Sequence, residues 1–578
     1  MTTVLGINYS NDAAAALVRD GHVLGACQEE RFRRTKHYAG FPERAIDWCL
    51  ADAGLRFDDV DEVAFFWNPG IHAETLHRSS TSRRHHLEFL YNVPNMLCSR
   101  WLGGQPVTGL SQELRFEGRK PLRIEYVTHH LAHAASAFYR SNFEESAVLI
   151  VDGYGERASA TILHAQGTSF RTLLTVDFPH SIGAYYAAFT DYLGFKANSG
   201  EGKVMGLASY GRETPLVDEA RSLWRLTDTG FELDLSYFSY FLERRERYSP
   251  KLVARFGPAR RADEPLTERH EDIAYAMQVA CEDALVHLGK LAKQLTGSSR
   301  LCMAGGVALN VVANTRIRNE CGFSECFWQP CASDAGTSLG AALYVAHERG
   351  DARVTHPLTD TLGPSFTSAQ CGQALARGRI PSKQLSAPWE SAARALADGR
   401  IIGWFGGRAE FGPRALGNRS ILADPRRPDM KDVLNARVKF REPFRPFAPS
   451  ILREACGTFF DDGAELGRSD TESPFMLLVY ATRPEHVKTL ASVTHVDGGG
   501  RVQTVTPEQN PRYYALIEAF GRLTGVPCVV NTSFNIRGEP IVNTPEDALK
   551  CFYTTDMDLL YLEDHLVWKD PALAALYG

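Results

Sequence analysis

The sequence predicts a large α/β protein of two domains, the first of them built on a duplicated unit. Three observations carry this. The 578 residues amount to nearly four times a typical domain of roughly 150 residues, and 44% hydrophobic with 23% charged side chains is the composition of an ordinary folded chain, excluding collagen, a disulfide miniprotein and bulk disorder. A three-strand meander is written twice, at residues 4–8, 13–18 and 22–28 and again at 147–152, 159–164 and 169–176. Finally, helical periodicity stops in a Pro, Thr, Gly and Ser stretch at 353–367, which reads as a linker. The domains expected are therefore 1–357 and 368–578.

In the first meander Asp20-Gly21 turns the second strand into the third, and in both copies an Asp, Asp12 or Asp152, follows the first strand. Small residues then open the next strand, so a phosphate or metal can approach the backbone there, and the paired loops suggest a two-lobed cleft. Residues 212–297 read as a helical excursion, strongest at 268–295. After the strand at 301–304, Gly305 and Gly306 turn the chain toward a helix near Asn310, a place where backbone amides can receive a nucleotide.

Charge and cysteine usage narrow the partners. Setting 63 basic against 69 acidic side chains gives −6, so no global positive field recruits nucleic acid or an anionic membrane, and any phosphate site is local. Twelve cysteines lie scattered without a CxxC pair; Cys321, Cys326 and Cys331 match no common zinc spacing and read as buried thiols. A reducing cytoplasm is expected. No signal peptide is legible at the N-terminus, and no stretch stays apolar for the roughly 18 residues of a membrane span.

Two constellations carry chemistry. Thr128 is placed to cap a helix on which His129 and His133 stand one turn apart on one face, with His130 about 100° away. Asp152 at a strand end completes a face of two imidazoles and a carboxylate, and Asp334 supplies a fourth ligand; the donor set suits iron or zinc better than magnesium. In the second domain Arg414, Arg419, Lys439, Arg441 and Arg445 crowd two short loops among prolines and aromatics, an arrangement that fits a polyphosphate or acyl phosphate. Asn531, Ser533 and Asn535 offer donors for a small planar group beside it.

These segments resemble those of the O-carbamoyltransferases related to nodulation and antibiotic-tailoring enzymes. The resemblance runs over nearly the whole chain, through Glu29-Glu30-Arg31-Phe32 to Lys36-His37, the His129/His133 pair, Asp152-Gly153-Tyr154-Gly155-Glu156, Glu201 to Leu207, Gly305-Gly306, the Arg414 loop and the Asn531 loop. It implies an actin-like ATPase domain, related to the threonylcarbamoyl-transfer enzymes, followed by a YrdC-like domain in which Lys439/Arg441 and Ser533/Asn535 match the family's paired patterns. It also implies two reactions. Carbamoyl phosphate and ATP, with Mg, give carbamoyl adenylate at Lys439, Arg414, Arg441 and Arg445, with Arg501 holding carbamoyl phosphate. The carbamoyl group then passes to a small-molecule hydroxyl in the metal domain, where Lys36, Asp152 to Glu156 (Asp152, Gly153, Tyr154, Gly155, Glu156), Gly305, Gly306 and Asn310 hold the adenylate. The rival readings are an actin-like small-molecule kinase, a threonylcarbamoyl-type tRNA modifier and a nucleotide-binding regulator without activity.

One position departs from the family. Its first loop carries a His before the Asp as the base, whereas here Asn11 precedes Asp12, and an amide cannot accept a proton near neutral pH. Either His130 or Asp12 substitutes, or the acceptor needs little activation, or the chain has been altered so that transfer stalls. The expectation is that adenylate forms while transfer is slow, to be tested against Asn11→His. The acceptor pocket is expected from 68–104 and the helical excursion, with Trp67 and Trp101 as stacking surfaces or, more ordinarily, buried aromatics. A symmetric homodimer is the expected assembly.

Overall fold

A computed structural model describes residues 2–68, 110–242 and 245–578, all but the side chains of Leu110 and Leu466. Residues 69–109, which carry Trp101 and most of the expected acceptor segment, lie outside the described residues. The chain divides into two compact units: Met1–Ser10, Ala14–Leu24 and Cys49–His356 form one, and Asn11–Ala13, Gly25–Trp48 and Pro357–Gly578 form the other.

The first unit is α/β and repeats one sheet plan. In the first sheet β1 (Thr3–Asn8) pairs antiparallel with β2 (Ala14–Arg19), beyond which comes β3 (His22–Gln28). On its other side β1 runs parallel to β4 (Glu62–Phe65), and β4 to β6 (Leu122–Tyr126), with β5 (Leu110–Leu114) antiparallel at the edge. The second sheet reproduces this: β7 (Glu145–Val151) is antiparallel to β8 (Ala158–Gln166), which is followed by β9 (Ser169–Asp177). On its other side β7 runs parallel to β10 (Arg300–Ala304) and β10 to β11 (Glu325–Trp328). The central strands are buried along their length because both faces are covered, which is why they read as apolar runs rather than alternating ones. Two such sheets of like order in one chain fit the duplicated, actin-like fold that the sequence resemblance implies.

Small residues bring helices against these strands. The helix α1 (His129–Phe138) packs on a later helix, Ala335–Glu348, and a Cβ at Gly340 of the latter would lie 1.7 Å from the Ala132 carbonyl oxygen. The same helix approaches β1 so closely that a Cβ on Gly6 would stand 1.9 Å from the Ser338 carbonyl. The 268–295 periodicity is realised as the long helix Glu268–Thr296, ended by Gly297 at φ +70°. The excursion is not helical throughout. Trp224–Thr227 and Gly230–Leu233 form a two-stranded hairpin, because aromatic and β-branched residues flank the turn closed by Gly230 at φ +116°.

The second unit is also α/β. Its eight-stranded mixed sheet runs, in order, Ser382–Gln384, His565–Trp568, Leu559–Leu562, Ile402–Phe405, Arg419–Ala423, Cys528–Ser533, Ala448–Leu452 and Gln503–Val505. Trp404, Tyr513, Leu516, Phe520 and Tyr561 are among the residues of the apolar core on one face. Among the described residues no helix is long and apolar enough to cross a membrane, and the eleven described cysteines are free thiols.

Candidate metal and anion sites

The metal constellation is built from two element ends in the first unit. On α1, the i and i+4 positions put His129 and His133 on one face, their Nε2 atoms 3.2 Å apart. Asp152, just past β7, brings Oδ2 to 3.0 Å from His129 Nε2 and 3.5 Å from His133 Nε2. Asp334, at the start of Ala335–Glu348, stands 3.7 Å from His129 Nε2. One donor atom from each of the four residues lies within 4.8 Å of the others, and three of the four side chains are buried.

A divalent ion fits this donor set. Two imidazole nitrogens face each other and two carboxylates, a crowding of lone pairs that a single proton or two cannot satisfy but a cation can. Burial pushes the Asp334 carboxyl up, with the nearby Asp152 charge adding to it, while the imidazoles hold Asp152 well below the usual range against its burial. Further contacts fix the carboxylates: Ser10 Oγ donates to Asp334 Oδ2 at 2.7 Å, and Gly306 N–H donates to Asp152 Oδ1 at 3.1 Å. The Gly305 turn is glycine by necessity, since at φ +92° a Cβ would meet the Val151 carbonyl oxygen at 2.3 Å.

Thr128 occupies the N-cap position of α1, but its side chain makes no capping bond. Glu156 does that work. Its buried carboxylate accepts the backbone N–H of His129 at 3.0 and 3.1 Å and that of Asn68 at 2.6 Å, so the acidic loop after β7 anchors the helix that carries the imidazoles. Burial raises the Glu156 carboxyl, opposed by His129 and these N–H donors. Tyr154 packs against Trp67 and Phe178, and Trp67 is a buried aromatic beside His129. Gly153 has open space around its Cα, whereas Gly155 lies against the His129 and His130 side chains. Asn310 caps the helix Val311–Glu320 by accepting Ala313 N–H at 3.2 Å and exchanges amide hydrogen bonds with Gln278. His130 faces away from the ligand cluster, its Nδ1 2.7 Å from Thr161 Oγ1; burial and the neighbouring His129 push it down to about 3.

The anion constellation belongs wholly to the second unit. Lys439 ends a wide helical turn, Asn435–Lys439, and is 4% exposed; its Nζ donates to Asn535 Oδ1 at 2.9 Å, to the Asn535 carbonyl at 3.2 Å and to the Ser533 carbonyl. Ser533 Oγ donates to Asn535 Oδ1 at 2.7 Å, so the three residues form one cluster. Arg441 lies over the Phe447 ring at 4.3 Å and donates to Asn435 Oδ1 and the Pro446 carbonyl. Burial and then neighbouring cations depress the whole group: Lys439 falls well below its ordinary range, Arg441 to about 9 and Arg414 to about 10, and Arg501 drops under burial beside Arg414, Arg441 and Arg445. Arg445 is lowered by burial as well. The buried Nε atoms of Arg414 and Arg501 have no hydrogen-bond partner. Lys36 joins this field from the exposed side: partial desolvation of its ammonium lowers it, Glu30 opposes this, and Arg445 lowers it further.

Other residues hold these cations in place. Arg419, fully buried, donates to the carbonyls of Pro364, Gly406, Gly407 and Asn418 and stacks over Phe405, so it braces the fold rather than presenting a charge. Asn531 lies in a strand, Cys528–Ser533, not in a loop. Its Nδ2 donates to the Ala415 carbonyl, Ser450 Oγ and Gln503 Oε1, because the apolar run 528–530 continues the sheet through it. Sequence reasoning missed Glu410, whose Oε1 collects the backbone N–H groups of Leu416, Asn418 and Arg419 and so shapes the Arg414 loop. Arg31, quoted from the sequence only as part of the Glu29-Glu30-Arg31-Phe32 resemblance, donates to the Gly412 carbonyl at 2.6 Å. The Cys321, Cys326 and Cys331 trio forms no metal group among the described residues.

One unit thus holds a cluster of four side chains able to ligate a metal, and the other a group of neighbouring cations. Two family profiles cover the chain, the carbamoyltransferase N-terminus over residues 3–343 and the carbamoyltransferase C-terminus over residues 393–569. The protein belongs to the carbamoyltransferase family and is an enzyme of that class. It is 41% identical to an uncharacterized protein of Synechocystis sp., over 98% of this chain and 97% of that one. It is 40% identical to the nodulation protein NolNO of Sinorhizobium fredii, over 98% of this chain and 80% of the relative. Among solved structures, component A of the Acidaminococcus fermentans (R)-2-hydroxyglutaryl-CoA dehydratase covers 60% of this chain and 99% of its own at 14% identity and a TM-score of 0.32.

Proposed function

We propose that the protein is an ATP-dependent O-carbamoyltransferase. At the second unit, water cleaves carbamoyl phosphate to carbamate and inorganic phosphate, a carbamate oxygen attacks the α-phosphorus of MgATP to give carbamoyl adenylate as pyrophosphate leaves, and the carbamoyl group then passes to a hydroxyl of a small-molecule acceptor with release of AMP. The observation that carries this is the group of six cations, Lys36, Arg414, Lys439, Arg441, Arg445 and Arg501, gathered in one unit, with Lys439 buried, the four arginines half-buried, Lys36 exposed, and the guanidinium Nε atoms of Arg414 and Arg501 unpartnered. So much desolvated positive charge has its electrostatic complement in phosphate oxygens.

The chemistry follows from that charge. Carbamate is a poor electrophile, and joining it to AMP gives it a good leaving group; the cations neutralise charge that grows on phosphate in the step and orient the nucleotide without any rearrangement at the moment of reaction. The Ser533 and Asn535 polar groups are held by Lys439 beside that charge and suit a planar carbamoyl group. The residues 368–578, together with Lys36, are assigned this half-reaction and the rest of 1–357 the transfer. His129, His133, Asp152 and Asp334 would hold one divalent ion, iron or zinc by the softness of its donors, which when bound supplies Lewis-acid polarisation of an oxygen. The acceptor is a natural-product alcohol, nucleic acid being disfavoured by the net charge of −6. Free thiols throughout the described residues support a cytoplasmic setting.

Identifying the nucleotide product tests the reading. Incubation with ATP and carbamoyl phosphate is expected to yield AMP and pyrophosphate; ADP as the product would assign the chain to phosphoryl transfer instead.

A further inference from the structure

Resting on that reading, we propose that His37, oriented by Asp12, is the group that takes the proton from the acceptor hydroxyl. An alcohol oxygen that bonds the carbamoyl carbon must lose its proton as the bond from that carbon to the AMP phosphate oxygen breaks. AMP leaves with the electron pair, the proton goes to the His37 imidazole, and His37 returns it to water.

The two side chains meet through an unusual backbone. Asp12 has φ +75° and His37 φ +54°, left-handed conformations that cost energy at residues with a Cβ and persist where their surroundings enforce them. The enforcement is visible: an antiparallel bridge joins Asn11 to Ala39, and Ala13 N–H donates to the Tyr38 carbonyl at 3.0 Å, so the strained residues are clamped from both sides. Their side chains come together with His37 Nδ1 2.7 Å from Asp12 Oδ1. Glu30 Oε2 accepts the His37 backbone N–H at 2.9 Å, which fixes the main chain under the ring. The His37 side chain is 36% exposed and the Asp12 side chain 18%, so the pair is half sheltered and reachable from solvent.

This is the geometry of a carboxylate that selects an imidazole tautomer: with Nδ1–H turned to Asp12, the far nitrogen Nε2 is the basic one. The groups around the ring are Asp12, Glu30 and Lys36. The Asp12 hydrogen bond raises His37 above 6.5, opposed by burial and by the Lys36 charge, with Glu30 adding to the rise. Lys36, the adjacent residue, stands in the field of Arg445, so the pair borders the anion site of the same unit. The alternative base fails on geometry, since His130 is buried with its Nδ1 2.7 Å from Thr161 Oγ1.

The test separates the two half-reactions in the full chain. Carbamoyl-phosphate-dependent ATP–pyrophosphate exchange reports adenylate formation and the integrity of each variant. AMP release with glycerol in excess as the probe alcohol, against water as background, reports transfer. His37→Gln and Asp12→Asn are expected to lower AMP release at least about 100-fold more than they lower exchange. Transfer by the parent is expected to fall as the pH drops through a value above 6.5, with NMR titration of His37 giving the same value and Asp12→Asn moving both acidward. Exchange absent from the parent would overturn the adenylate reading; exchange present, with AMP release unmoved by both variants or the His37 titration unmoved by Asp12→Asn, would overturn the dyad alone.

Discussion

Lys439 shows most sharply what a buried cation costs and what it is for. Its ammonium is 4% exposed, hydrogen-bonded only to neutral oxygens and surrounded by Arg441, Arg445 and Lys36, so the charged form is penalised in the folded state. Because its folded pKa lies below 10.5, the unfolded chain binds the extra proton, and parent stability rises with pH from the folded value up to 10.5. Lys439→Met is expected to leave the protein without phosphate ligands as stable as the parent or up to about 2 kcal/mol more stable at neutral pH, and to flatten that rise. Pyrophosphate should stabilise the parent and leave Lys439→Met unmoved; thermal denaturation with and without pyrophosphate measures both effects. A variant that is less stable and still responds to pyrophosphate would contradict the role given to this lysine. The lysine was legible in the sequence because prolines and aromatics among cations are not a solvated surface. The partnership of Asp12 with His37 was not, since 25 residues separate them and only two left-handed backbone positions bring them together.

At the scale of elements, α1 is the part whose position decides the metal cluster. Its imidazoles are set by helical spacing, which the sequence displays outright, but its N-terminus is set by Glu156, which the sequence offered only as one more acidic residue in a loop. Glu156→Ala removes the acceptor for two backbone N–H groups and is expected to cost about 0.5–2 kcal/mol, the range for loss of a helix cap, while lowering bound divalent metal as measured by elemental analysis. Unchanged metal content would show that the helix end is held by other means. The strand meanders were legible from apolar runs and turns. Asn531 was misplaced because a polar residue at a strand end looks like a loop until its amide is seen bonding across the sheet to Ser450 and Gln503. The hairpin at Trp224–Thr227 and Gly230–Leu233 was hidden by the helical periodicity around it.

For the whole molecule, adenylate formation is assigned to the cations and transfer to residues 1–357, which carry both the metal-ligand cluster and the Asp12–His37 pair. The duplicated sheets were predictable from a repeated pattern, and the second α/β unit from the break in periodicity before it. That Gly25–Trp48 would group with the distant C-terminal residues was not predictable from spacing, because the anchors are carbonyls: Arg31 reaches Gly412, and Arg34 reaches Pro540 and Ile541. The most direct measurement is carbamoyl-phosphate-dependent ATP–pyrophosphate exchange in the parent, in Lys439→Met and in the doubly substituted His129→Ala/His133→Ala. Exchange is expected in the parent, lost in Lys439→Met and retained when both imidazoles are removed, although bound metal is then gone. Exchange that survives without Lys439, or disappears with the imidazoles while the protein remains folded, would contradict the assignment of adenylate formation to the cations gathered around Lys439.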